Sequence, residues 1–184
     1  MHFEIVIEIL RYILAISLLS IIVLYFSSSI VHLWRMVPFV PSTKRATEYM
    51  VKLAQLKKGE KVYDLGCGDG RFLIEAQKHT KTTAYGFENA PLPYLIAKAK
   101  KFIAKANIKI SMKNFFHQSL ENADVIFCYL GPETMQELKP KLEKECRKGT
   151  RIYSNTFAMH NLAPKKVWPK DKIQRLPTVY LYTI

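Results

Sequence analysis

Glycine is scarce in this chain, with seven in 184 residues, yet three of them stand within five positions, at 66, 68 and 70. Glycine loses more backbone freedom on folding than any other residue, so a cluster marks a tight turn or a place where something approaches the backbone closely. Cysteine is scarcer still. Cys67, Cys128 and Cys146 are odd in number and never spaced C-x-x-C. That excludes a disulfide framework and a structural zinc site, and implies reduced thiols in a cytosol-like compartment. The five histidines are scattered, so no metal is expected. His160, in "TFAMH", lies either beside a cleft or at the surface. Acidic residues number 15 against 28 basic ones, a net charge of +13. The excess suits an acidic neighbour such as nucleic acid, anionic lipid or an acidic protein surface, or is simply a solvated basic face. Apolar residues make up 49%, which excludes a disordered chain, and the length suits one domain.

Charge is absent altogether from Tyr12 to Trp34, "YILAISLLSIIVLYFSSSIVHLW". As a helix the run reaches roughly 35 Å, enough to cross a bilayer core of about 30 Å, with an aromatic residue at each end for the two interfaces. A secretory signal would bring a basic leader and a small-residue cleavage site, whereas "MHFEIVIEILR" carries Glu4 and Glu8. A buried core helix would be shorter with one polar stripe, and the serines at 17, 20, 27, 28 and 29 form none. Only Arg11 precedes the run, while Arg35, Lys44, Arg45 and Lys52 follow it, so the positive-inside rule puts the C-terminal side in the cytoplasm. The expected organisation is a short non-cytoplasmic leader (1–11), a transmembrane helix (12–34), a stiff connector with Pro38 and Pro41 (35–42), and a domain (43–184), at the cell membrane. Arg11, Arg35, Glu4 and Glu8 cancel, so the whole charge excess lies in the domain. An anionic inner leaflet accounts for such charge without nucleic acid.

Within the domain, Thr43 caps an expected helix to about Leu56. "KVYDL", "TTAYGFE", "NIKISMK", "ADVIFCYL" and "TRIYSNTF" read as strands, and helical patterns fall between them. The clearest helix is 91–106, with apolar residues at 92, 95, 96, 99, 102, 103 and 106. Pro140 interrupts the last helix, and the tail offers one or two antiparallel strands. This alternation predicts an α/β domain with a mostly parallel central sheet and helices on both faces. In such sheets ligands bind beyond the carboxyl ends of the strands, which is where "DLGCGDG" follows the first strand.

Spacing sorts the glycine loop. A phosphate loop needs Lys-Ser or Lys-Thr after its last glycine, and a dinucleotide fingerprint needs glycine at 71. Arginine stands at 71, with no such pair after it. What remains is D-x-G-x-G-x-G with Asp64 inside the motif, or a purely structural turn.

"VYDLGCGDG" resembles motif I of the Rossmann-like, class I methyltransferases that use S-adenosylmethionine, and the resemblance spans about residues 43–184. It implies that Gly66, Cys67, Gly68 and Gly70 pass under the cofactor's methionine part and that Asp64 helps hold its amino group. It implies too that Glu88, 22 residues after Gly66, grips the ribose hydroxyls. A carboxylate can accept two hydrogen bonds from a vicinal diol. Asn114 and Phe115 match the adenine position, where the family often has aspartate.

A narrower resemblance rests on the apolar N-terminus, "PFVPSTKRATEYMV" and "DLGCGDGR". It is to the membrane-anchored lysine methyltransferases of the ATP synthase c subunit and the adenine nucleotide translocase, with their prokaryotic relatives. It implies a lysine of a membrane protein as methyl acceptor. A positioned, neutral amine needs no metal and no strong general base. Adenine-directed methyltransferases usually carry [DN]-P-P-[YF] after the fourth strand. "CYLGP" stands here instead, which disfavours nucleic acid. Tyr129 lines the acceptor pocket or packs in the core. A lipid or quinone acceptor, and a non-catalytic cofactor-binding module, remain as alternatives.

Overall fold

The computed structural model describes residues 2–35 and 40–184. Residues 36–39 of the expected connector, Pro38 included, lie outside the described residues. Helix α1 (His2–Arg35) runs through the expected leader without a break. Its stretch Phe3–Ser27 is long and apolar enough to cross a membrane, with a mean hydropathy of 2.3. Glu4, Glu8 and Arg11 sit inside that stretch. Arg11 Nη1 meets Glu8 Oε1 at 2.8 Å, so two of the three charges are paired one turn apart.

The domain opens with α2 (Lys44–Ala54). Thr43 is its N-cap, with Oγ1 accepting from the Ala46 amide at 3.1 Å, a bond that satisfies one of the free donors of the first turn. There follow β1 (Lys61–Leu65), α3 (Arg71–His79), β2 (Thr83–Glu88), α4 (Pro91–Ile103), β3 (Ile108–Met112) and β4 (Val125–Cys128). The chain then forms α5 (Pro132–Glu145), β5 (Arg151–Asn155), β6 (Lys166–Trp168) and β7 (Val179–Thr183). The seven strands form one sheet in the order β3-β2-β1-β4-β5-β7-β6. The first five are parallel to their neighbours. The tail supplies the antiparallel pairings, β7 against β5 and β6. Strand order reverses between β1 and β4, so their carboxyl ends part and leave a crevice.

The buried strand residues alternate between two cores. Val62, Phe127 and Tyr153 pack with Met50, Val51, Phe72, Leu73 and Ala97 of α2, α3 and α4. On the other face Leu65, Ile126, Ile152 and Tyr182 pack with Met135, Leu138 and Leu142 of α5. Each fully buried large apolar side chain is worth about 1.5–3 kcal/mol. Pro140 lies inside α5, which continues to Glu145.

Helix α4 departs from its sequence pattern. Its buried residues are Pro93 and Ala97, while Leu95, Ala99, Phe102 and Ile103 are exposed. The cause is the close approach of α3. A Cβ on Gly70 would stand 3.4 Å from the Ala97 Cβ and 3.2 Å from Ile110 Cδ1, so only a small residue fits at 97.

Gly86 has a related role in β2. A Cβ there would stand 2.7 Å from both Cys67 Sγ and Leu73 Cδ1, closer than real contacts allow. Gly86→Ala is expected to cost about 1–3 kcal/mol through overpacking. It should lower the urea midpoint with the slope unchanged. A wild-type midpoint would refute this account of Gly86.

Candidate active site

The glycine loop leaves β1 in left-handed backbone conformations, with φ of 76° at Gly66, 54° at Gly68 and 73° at Gly70. A side chain at any of these is strained, which explains the clustering. The loop is tied down to β2. The amides of Gly66 and Cys67 both donate to the Phe87 carbonyl, at 2.9 and 3.0 Å. Glu88 Oε2 accepts from the Gly68 amide at 2.8 Å, and Oε1 accepts from the Ala90 amide at 2.8 Å. One carboxylate thus joins the loop after β1 to the turn before α4. Each of its oxygens keeps a second lone pair for a ligand.

Asp64 is buried beneath the loop. No donor meets its carboxyl among the described residues. Burial first, then the charges of Glu88 and Asp69, push it from its ordinary value up to about 8. Asp69, close by, goes the other way. Burial raises it, but hydrogen bonds from Arg71 and Lys100 outweigh that and bring it to about 2. Arg71 Nη2 and Lys100 Nζ each lie 2.5 Å from Asp69 Oδ2. Burial, together with Asp64 and Glu88, holds the Cys67 thiol well above its usual range. It is therefore a neutral wall of the loop and no nucleophile. All three cysteines are buried and free of disulfides.

Asp64, Cys67, Asp69, Arg71 and Glu88 line a cleft of about 740 Å³ at the carboxyl ends of β1, β2, β4 and β5. Asn114 caps a single 3-10 turn, Phe115–His117, with Oδ1 accepting from the Phe116 amide at 3.1 Å. That leaves the Asn114 amide nitrogen as a donor toward the cleft. Across the crevice, the rings of Tyr129 and Phe157 stack at 6.1 Å. Val40, Pro41 and Ser42, the end of the expected connector, also line the cleft. An Arg71 guanidinium nitrogen donates to the Ser42 carbonyl, and Asn155 Nδ2 donates to Ser42 Oγ at 3.3 Å. The charge of the walls is opposite to that of the whole chain. Asp64, Asp69, Glu88, Glu133 and Glu137 face one cation, Arg71.

Comparison with known proteins bears on this arrangement. The family model for the ANTKMT methyltransferase domain matches residues 64–166, which begin at Asp64 and take in both walls of the cleft. The chain belongs to this methyltransferase family. A protein-lysine N-methyltransferase of Saccharolobus islandicus is 34% identical over 80% of this chain and 94% of its own length. The mouse adenine nucleotide translocase lysine N-methyltransferase is 29% identical over 78% of this chain and 66% of its own length. A crystal structure described as an RNA methyltransferase from Salinibacter ruber, in complex with S-adenosyl-L-homocysteine, superposes with a TM-score of 0.74. It is 29% identical and covers 79% of this chain and 94% of that one. The fold is thus the Rossmann-like methyltransferase fold, and the cofactor is S-adenosylmethionine.

The walls of the methyltransferase cleft fit that cofactor. A buried carboxyl with no donor, Asp64, suits an ammonium group. Glu88 has free lone pairs for a diol, and Phe115 beside Asn114 suits a flat heterocycle with ring acceptors. Of the residues singled out in the sequence, Asp64, Gly66, Cys67, Gly68, Glu88, Asn114, Phe115 and Tyr129 all line the cleft. Gly70 does not. It precedes α3, and its missing side chain makes room for Ala97 and Ile110. His160 is exposed and lines no part of the cleft. Residues that the sequence did not flag complete the walls: Ser42, Arg71, Phe116, Asn155, Phe157 and the two glutamates of α5. Only the spacing of Glu133 and Glu137, one helical turn apart, was available as a signal. Among the described residues no group of side chains could hold a metal ion.

Two expectations follow for the enzyme. Glu88→Ala removes two charged hydrogen bonds, one from the loop at Gly68 and one from Ala90 before α4, each worth about 1.5–3 kcal/mol. Calorimetry should show cofactor affinity falling at least about a hundredfold, and wild-type affinity would exclude the role given to Glu88. The second concerns pH. Unfolded, Asp64 is ionised above about pH 4, whereas folded it keeps its proton up to about 8. Stability of the cofactor-free enzyme should therefore fall as pH rises through that window, and Asp64→Asn should flatten the fall. A cationic ligand favours the ionised carboxyl. Cofactor binding near pH 7 should release a proton, seen as a binding enthalpy that depends on the ionisation heat of the buffer. A buffer-independent enthalpy would overturn the assignment.

Proposed function

We propose that this methyltransferase is tethered to the membrane by α1 and methylates a lysine of a membrane protein, with its catalytic domain in the cytoplasm. The observation that carries the reading is the acidic cleft of a basic protein. Five carboxyl groups line the cleft of a chain with a net charge of +13. Asp64 keeps its proton and Asp69 is paired with Arg71 and Lys100, so Glu88, Glu133 and Glu137 supply the negative charge. Such a cleft attracts a lysine and repels phosphate-rich polymers such as RNA. Two of its carboxylates, Glu133 and Glu137, stand one turn apart on the first half of α5, and both are exposed. They can meet an ammonium group before it is desolvated. The names of the Saccharolobus and mouse relatives support the lysine, and the mouse relative's name supports a membrane protein. The chain spans 66% of that mouse relative's length.

Bound in the cleft, the cofactor supplies an activated methyl group carried on a sulfonium. This chain's residues have the other tasks. Glu88 and the glycine loop hold the donor at the switch between β1 and β4. Asp64, once ionised, balances its ammonium group. Tyr129 and Phe157, stacked on the far wall, offer an apolar surface for the methylene stem of a lysine. A lysine must lose its proton before it can act as a nucleophile, and desolvation against the rings lowers its pKa. Placing the neutral amine in line with the methyl then supplies most of the acceleration. The segment from Val40 to Ser42 connects the tether side of the chain to this cleft, so a lysine close to the bilayer is within reach.

Mass spectrometry of membrane proteins from cells with and without the gene tests the reading. A lysine that loses its methyl groups in the deletion is expected. Unchanged proteins, with label from the methyl donor appearing in lipid or quinone instead, would replace lysine by those acceptors. With a lysine peptide as acceptor, Glu133→Gln combined with Glu137→Gln should raise the acceptor KM on the order of tenfold. Cofactor affinity should not change, and an unchanged KM would remove the two glutamates from acceptor capture.

A further inference from the structure

The most regular apolar stripe of the domain lies outside its core. Leu95, Ala99, Phe102 and Ile103 recur at i, i+4, i+7 and i+8, one face of α4. Phe102 is 84% exposed and Ile103 79%. Lys98 and Lys105 edge this stripe, and neither has an ion-pair partner among the described residues. Helix α5, on the opposite face of the sheet, behaves differently. Its apolar stripe is buried and its lysines 139 and 141 pair with Glu143 and Glu145. The α4 stripe is therefore a feature of one face and not a general property of the helices.

An apolar stripe bordered by free lysines is the composition that binds an anionic lipid surface, with apolar side chains at the headgroup–acyl boundary and ammonium groups among the phosphates. Two further observations favour lipid as the occupant. The domain carries the entire charge excess of the chain. Helix α1, the segment apolar enough to span a bilayer, lies against α4 and leaves the stripe open.

We propose that α4 docks the domain on an anionic bilayer surface, with Phe102 and Ile103 entering the boundary layer and Lys98 and Lys105 contacting lipid phosphates. The inference rests on the reading of α1 as a membrane anchor. It has a consequence for the enzyme. Helix α4 starts at the cleft, just after Glu88, and runs about 20 Å away from it. Lying flat on the bilayer, it turns the cleft mouth along the membrane surface, where the lysine of a neighbouring membrane protein can enter.

Spin-label accessibility in the full-length chain tests this. The three native cysteines are buried, so a nitroxide can be placed singly at Ala99→Cys on the stripe, Ser20→Cys in the anchor, or Glu143→Cys on α5. In vesicles of phosphatidylcholine with phosphatidylglycerol, oxygen should relax the labels at 20 and 99 more than a water-soluble nickel chelate does. The order should reverse at 143. Phe102→Ser with Ile103→Ser, or vesicles of phosphatidylcholine alone, should move position 99 toward water. A label at 20 in lipid with 99 in water would overturn the docking and leave the anchor standing. A label at 20 in water would overturn the anchor reading and the docking with it. A label at 99 shielded from both reagents would show that protein, not lipid, covers the stripe. Lipid contact at 99 that persists in phosphatidylcholine alone would overturn the role of the lysines.

Discussion

The carboxylate of Glu88 is the joint on which the active site depends. It accepts amide hydrogens from Gly68 and from Ala90, and so fastens the left-handed loop after β1 to the start of α4. The neighbouring Phe87 carbonyl takes the amides of Gly66 and Cys67. Without this clamp, three left-handed residues in one loop would have many alternative paths. With it, the loop has one path, and the wall of the cleft is set before any ligand arrives. Such preorganisation is a main resource of an enzyme that transfers a group by positioning its reactants.

The clamp also sets the electrostatics. It brings Glu88 close to Asp64 and Asp69 in a space with little water. Only Asp69 receives cations, from Arg71 and Lys100. Asp64 responds by keeping its proton, and the cleft stores a group that ionises when positive charge enters. Arg71 has a second contact, to the Ser42 carbonyl, so the same residue that neutralises Asp69 holds the end of the connector at the cleft. Charge is thus divided by region: carboxylates gather inside the cleft, and the lysine excess covers the outer surface.

Much of this was legible in the residues. The order of strands and helices followed from periodicity and turn signals. The D-x-G-x-G-x-G spacing separated this loop from phosphate and dinucleotide loops, because each requires a particular residue at a fixed step. Glu88 was readable through the resemblance to class I methyltransferases, which expects an acid one βαβ unit after the glycine loop, a distance set by one strand, one helix and two short turns. The other walls were not readable. Asn155, Phe157 and Ser42 reach the cleft from β5 and from the segment before α2, and their sequence separations from the loop carry no periodic signal. Helix α4 marks the limit from another direction. Its periodicity announced a helix correctly but not which side would be buried, since the close approach of Gly70 and Ile110 admits only Ala97 and Pro93 toward the sheet.

The sequence by itself determined the α/β alternation, the glycine loop and its partner carboxylate, and a segment apolar enough to span a bilayer. Each is a local property, governed by backbone freedom, side-chain period or hydrogen-bond capacity within a few dozen residues. Tertiary structure alone decided which carboxylates would share the cleft, which would keep a proton, and which face of α4 would be left open. Those outcomes depend on burial and on distances between residues far apart in the chain, and such distances exist only once the sheet is assembled.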